Sequence, residues 1–263
     1  MTGLILFSVV VATALIAGFL APHDPLRNNF RYRLGAPTAV YWLGTDGFGR
    51  DVLSRVLYGA RVSLRLGLMV VILNGILGTL VGLTAGYFRR LDNIVMRIMD
   101  GLMAFPALLL AIALVAVLGA SEINVVLALT AAYTPRTARI VRASVLVIRE
   151  MEYVQAAIAA GAGSLRILFR HILTNSLAPL IVQLTFIIAV SVLAEAVLSF
   201  IGVGPPPPTP TWGNIIADGR NYIREAPWIS LVPGVAIGLT VLGLNLLGDG
   251  LRDVLDPRLR VEP

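Results

Sequence analysis

Fifteen carboxylates, two histidines and 21 basic residues carry all the charge in this chain, and every basic residue is an arginine. The missing lysine excludes one chemistry at once. A phosphate-binding loop of the Gly-x-x-x-x-Gly-Lys-[Ser/Thr] type needs its lysine to reach the β/γ-phosphates, so no such loop exists here. Cysteine is absent too, which removes thiolate nucleophiles, disulfides and cysteine-ligated zinc. His23 and His171 stand far apart and outside the apolar runs, a poor basis for a metal site. A nucleophile paired with a base is not expected. Nor is a bound cofactor or metal.

Three groupings remain. Glu195 is an acid inside an apolar run, since residues 172–194 before it carry no charge. A carboxylate in such a setting is costly, and it is usually functional or paired. Asp46, Arg50, Asp51, Arg55 and Arg61 are spaced for ion pairs on a helix surface, with Asp51 four residues before Arg55. That pattern predicts a solvated helix face. The third grouping is the polar stretch EYVQAAIAAGAGSLRILFRHIL, residues 152–173, set between two apolar runs.

These groups sit in a chain of 263 residues that is 57% hydrophobic and only 14% charged. Soluble domains carry about 25% charged residues. So little charge cannot coat a globule, and the class read from composition is an integral membrane protein; its long apolar runs then read as an all-α bundle of spanning helices. A helix needs roughly 20 apolar residues to cross a bilayer. Runs at 3–20, 66–88, 101–118, 172–194 and 226–248 meet or approach this. A weaker run at 123–135 completes six spans. There one helix is expected to leave the membrane near Pro135 and continue into water. Arg136, Arg139 and Arg142 would then snorkel to phosphate level. A buried or re-entrant segment is the alternative.

With six spans, both termini share a side. Arg89, Arg90, Arg97, the arginines of 136–171, and Arg252, Arg258 and Arg260 in the tail fall on that side. The positive-inside rule then favours cytoplasmic termini. The excess of arginine reads as anchoring beside membrane lipid rather than nucleic-acid binding. Trp42, Trp212 and Trp228 fall on the other side, as interfacial anchors. The resulting organisation is a first transmembrane helix at 1–21, an outer loop with an amphipathic segment at 22–65, a five-helix core at 66–250 containing a loop at 150–173, and a cytoplasmic tail at 251–263. Pro205 to Pro208 read as a stiff outer cap. Asn74 and Asn245 read as hydrogen-bonding groups between helices.

Within residues 152–173, Val154, Ala157, Ile158 and Gly161 recur at helical spacing, and so do Leu165, Leu168, Phe169 and Ile172. The pattern predicts two short amphipathic helices joined by a turn at Gly161-Ala162-Gly163. Arg166 and Arg170 lie four apart on the second. Such a hairpin could rest on lipid headgroups. It could instead dock into a partner's groove, with Ala156, Ala157 and Gly161 permitting close approach.

The stretch resembles the EAA loop of ABC importer permeases, whose pattern is Glu-Ala-Ala, three residues, Gly, nine residues, then Ile-x-Leu-Pro. Gln155-Ala156-Ala157, Gly161 and His171-Ile172-Leu173-Thr174 fall in register, with Gln155, His171 and Thr174 departing from it. LGTDGFGRDVLSRVLYGARVSLRLG (43–67), AEAVLSFIGVGPPPPTPTWGNIIADGR (194–220) and LGLNLLGDGLRDVLDPRLR (242–260) are similar to the C-type subunit of the dipeptide, oligopeptide and nickel permease family. Related subunits usually carry a polar lead before the first span, so the start of the chain is expected to lie upstream of Met1.

The resemblance implies a type I ABC importer permease fold with six transmembrane helices in a prokaryotic inner or plasma membrane. It implies a subunit forming half of the pathway in a binding-protein-dependent importer of di- or oligopeptides. Its partners would be a second homologous permease, two ATPase subunits that bind ATP and magnesium, and an extracytoplasmic substrate-binding protein. Glu152, Gln155, Ala156, Ala157, Gly161 and Arg166 would form the ATPase-coupling loop. Glu195 would belong to the translocation pathway or gate, or else be a structural partner to an arginine or backbone donor of the other subunit. The first outer loop could contact the binding protein. The competing reading is a secondary transporter driven by an ion gradient, which tends to carry several intramembrane ionisable groups. Dipeptide, oligopeptide, nickel and glutathione all remain open as substrates.

Overall fold

The structure, a computed structural model, describes residues 1–255. Arg258 and Arg260, most of the expected tail and the end of the 242–260 stretch lie outside the described residues. Helices α1 (Thr2–Leu15) and α2 (Ala17–Leu20) open the chain. A looped segment with a single 3-10 turn, Phe30–Tyr32, then leads to α3 (Val52–Tyr87). Next come α4 (Arg89–Met103), α5 (Ala107–Leu118), α6 (Glu122–Ile148) and α7 (Glu152–Ala159). A turn precedes α8 (Ser164–Arg166), a π-helical segment (Ile167–Leu173) and α9 (Thr174–Phe200). Helices α10 (Trp212–Gly219) and α11 (Trp228–Leu255) complete the all-α bundle.

Three described helices are long and apolar enough to cross a membrane: Val52–Tyr87, the continuous Ser164–Phe200, and Trp228–Leu255. Helices α4 and α5 would add a fourth as one pair bent by 89°. The expected run at 101–118 is therefore not one straight span. Phe105-Pro106 breaks it, because the residue before proline is pushed out of helical geometry. Helix α1 is short, and α6 carries the three arginines. Six spans are thus not reached on length and composition alone.

Local chemistry sets the long helices. Asp51 caps α3 by accepting from Ser54 N at 3.0 Å and Ser54 Oγ at 2.5 Å. The helix then runs 36 residues without a break, so the expected outer amphipathic segment and the second span are one element. Ser121 caps α6 by accepting from Asn124 N at 3.2 Å. Helix α6 continues through Pro135, as expected, and Pro135 is buried.

The closest helix pairing is α3 against α6. Gly78, Gly82 and Gly86 stand four apart on α3. A Cβ at Gly82 would lie 2.6 Å from Ala138 O, and one at Gly86 would lie 2.6 Å from Val145 Cβ. Removing side chains there lets two backbones approach, which is how helices associate where lipid competes for apolar contact. Asn74 is fully buried in the same interface and accepts from Thr137 Oγ1 at 2.6 Å, as its position predicts. One core cluster joins α3, α5, α6 and α9 around Leu66, Val70, Leu129 and Leu198. A second gathers α3, α10 and α11 around Trp212, Ile215 and Ile229.

Two expectations change. Arg139 and Arg142 do not simply reach outward. Arg139 pairs with Asp100 at 2.6 Å and Arg142 with Asp92 at 2.5 Å, tying α6 to α4. The Arg142 guanidinium holds the Asp92 carboxyl below its ordinary range, mainly by hydrogen bonding. Trp212 is no interfacial anchor. It is buried and donates from Nε1 to Val56 O at 3.1 Å, whereas Trp42 remains exposed.

Candidate functional site

The sequence-singled residues separate into two places on one rod. Helix Ser164–Phe200 begins beside Gly161 and ends just past Glu195. Arg166 and Glu195 are 29 residues apart, about 40 Å along a helix. The loop and the embedded acid are therefore distinct sites.

At the first, α7 is a two-turn helix lying against the start of the long one. Gly161 closes it with φ +80, a left-handed backbone that a side chain would strain. Ala162 N donates to Ala157 O at 3.0 Å and Gly161 N to Ile158 O at 2.9 Å, satisfying the helix end. Val154 is wholly buried with Ile167, Leu168 and Ile172 against Leu83, Val141, Val145 and Ile148. Each such side chain is worth about 1.5–3 kcal/mol where the alternative is water. That anchor fixes α7 and leaves the opposite side free. Glu152, Gln155, Ala156, Gly161 and Arg166 are exposed and Ala157 is half-buried. Tyr153, Ile158, Leu165 and Phe169 add exposed apolar surface.

The expected pair of short helices is corrected on one side. The second is the first part of a 37-residue helix, so the turn runs without a break into α9. Ile167–Leu173 is wound as a π-helix, a form found often at functional sites. Of the aligned residues, Gln155 donates from Nε2 to Arg149 O at 2.8 Å. Arg149 in turn donates to Gly86 O at 3.0 Å. This links the loop to the α3–α6 junction.

At the second place, Glu195 is fully buried. Helix α10 packs over this part of α9. Ser63 Oγ donates to Oε2 at 2.9 Å and Ser199 Oγ donates to Oε1 at 2.7 Å. No arginine pairs with it among the described residues. The partners are hydroxyls of this same chain. Ser199, four residues on, was legible from helical spacing; Ser63 was not.

The outer charge set is also rearranged. Asp51 caps α3 and does not pair with Arg55. Arg55 instead meets Asp46 at 2.6 Å and Asp218 at 2.9 Å, and Arg50 meets the same two acids at 2.7 and 2.9 Å. Asp46, Asp51 and Arg55 are buried, so this is not a solvated face. It is an ionic joint between the outer segment and α10. Asp218 carries no local signal that would have revealed it. Beside the joint, Pro205–Pro208, Asn214 and Arg220 line an open cavity of about 550 Å³.

Residues 76–261 match the family model described as the binding-protein-dependent transport system inner membrane component. The chain belongs to that family. It is similar to a putative peptide transport system permease of Brucella suis biovar 1, at 55% identity over 99% of this chain and 88% of the relative. It is 45% identical to the dipeptide transport system permease DppC of Alkalihalophilus pseudofirmus, over 98% of this chain and 85% of the relative. It is 44% identical to the glutathione transport system permease GsiD of Pectobacterium atrosepticum, over 96% of this chain and 84% of the relative. Membership makes this chain a multi-pass inner-membrane permease component and not an enzyme, as the residue chemistry anticipated.

Proposed function

We propose that this chain forms one membrane half of an ATP-driven, binding-protein-dependent peptide importer. A second homologous permease completes the pathway, two ATPase subunits bind ATP and magnesium, and an extracytoplasmic protein delivers substrate. The ATPases grip the turn at Glu152–Arg166. The observation that carries this reading is the exposed α7 turn built onto the end of a continuous 37-residue helix. Force applied at Gly161 is passed along one rigid element toward the far end of the bundle. Closure of the ATPases then rocks the bundle between two accesses, to the extent that docking energies differ between the two states.

Peptide as cargo is supported by the relatives above that are named peptide and dipeptide transport system permeases. Cytoplasmic termini are supported by the arginine distribution. They place the turn on the ATPase side. The ion-coupled alternative is disfavoured because Glu195, the one acid deep in an apolar run, is sealed by Ser63 and Ser199. The test is uptake in proteoliposomes carrying the full complex. Peptide transport should require both ATP and the binding protein, across a panel of dipeptides, longer peptides, glutathione and nickel. Uptake driven by an ion gradient without ATP would refute the reading.

A further inference from the structure

The docking turn carries a concave notch of about 420 Å³. Ala157, Ala160, Gly161 and Ala162 form one wall; Arg166, Arg170 and His171 form the other. A Cβ built on Gly161 would meet nothing within 4 Å, so the space is open. Arg166 and Arg170 are both exposed, and neither forms an ion pair among the described residues. His171 is half-buried beside Tyr153, with ring centroids 6.3 Å apart. Meanwhile the acid that the EAA pattern would present is absent. Gln155 stands there, uncharged, with its amide spent on Arg149 O at 2.8 Å. Glu152 is exposed at the start of α7 but does not line the notch, so the charge lining the notch itself is basic.

We propose that this notch receives a carboxylate side chain from the ATPase, and that the ATPase groove facing it is acidic. The inference rests on the docking reading and adds the sign of the contact. Two guanidinium groups four residues apart, beside an alanine and glycine wall, leave room for an Asp or Glu side chain between them. Charge-assisted bonds of that kind fix register at an interface as well as adding affinity. Leu165 and Phe169, each one residue before an arginine of the pair, are exposed and add apolar surface for the same partner.

The test uses the full complex in detergent, with the sister permease present. Retention of the ATPases is measured against rising salt. Arg166→Gln with Arg170→Gln should lower retention about tenfold, the order of two modest ion pairs, and flatten its salt dependence. Arg166→Lys with Arg170→Lys should keep most of both. Unchanged retention and salt slope in the Gln variant would overturn the proposal. So would a loss confined to stimulation by anionic lipid in nanodiscs with ATPase retention intact, which would make the pair a headgroup anchor. Gly161→Val separates the two levels. If it abolishes retention while the Gln pair does not, docking stands and only the acidic groove falls. If Gly161→Val also retains the ATPases fully, the docking reading itself falls.

Discussion

The hydroxyl of Ser63 on α3 donates to the carboxylate of Glu195 on α9 at 2.9 Å, inside a fully buried pocket. The same hydroxyl accepts from Trp212 N at 3.3 Å at the start of α10. One serine therefore joins three helices through one acid. Glu195→Ala would leave both serine hydroxyls without that acceptor and open a cavity. We expect a loss of about 2–4 kcal/mol, read by thermal unfolding of the detergent-solubilised complex. Glu195→Gln keeps an acceptor and the volume, and should cost about 1 kcal/mol. If Glu195→Gln stopped transport while leaving stability untouched, the acid would have a direct role in the pathway.

The outer ionic joint yields an ordered pair of effects. Asp46 and Arg55 are both buried, whereas Asp218 is 38% exposed at its side chain. Asp46→Asn strips the buried partner of Arg55 and should destabilise by about 3–5 kcal/mol. Asp218→Asn should cost clearly less, because solvent screens that contact. Chemical denaturation of the three proteins checks the order, and equal losses would contradict it.

Gly82 is the tightest test of the α3–α6 packing. An added Cβ would sit 2.6 Å from Ala138 O, a backbone atom that cannot swing away. Gly82→Ala should therefore destabilise by about 1–3 kcal/mol. Gly234→Ala is the matched control, since a Cβ there meets nothing within 4 Å. It should be neutral or slightly stabilising in a helix. Comparing yields of folded protein and melting behaviour distinguishes them.

Gly161 fails for a different reason. Its surroundings are empty, but its φ of +80 strains any L side chain by about 1–2 kcal/mol. Gly161→Val should insert normally yet lose ATPase retention, and with it stimulation by loaded binding protein. Gly161→Asn should retain more stimulation, because asparagine tolerates left-handed backbone. Equal stimulation in Gly161→Val and the parent would remove the coupling role of the turn.

Legibility varied from residue to residue. The turn at Gly161 and the run of α6 through Pro135 were readable, because glycine placement and helical periodicity are local. So was Asn74 as an interhelical group. The joining of residues 164–200 into one rod was not, since the Arg-bearing stretch and the apolar run after it look like separate elements. The spacing of Gly78, Gly82 and Gly86 drew no expectation from the sequence. Only the structure shows α6 as the partner they admit.

By itself the sequence determined the class of molecule. Too little charge to coat a globule dictates a membrane bundle, and without lysine or cysteine it has neither a phosphate-binding loop nor thiolate chemistry. The tertiary structure decided who pairs with whom. Arg55 chose Asp46 and Asp218 over the Asp51 that helical spacing offered, and Asp51 became a cap. Trp212 went to the core rather than the interface. Periodicity states which residues share a face of a helix, but what lies opposite that face is set by packing of segments far apart in the chain.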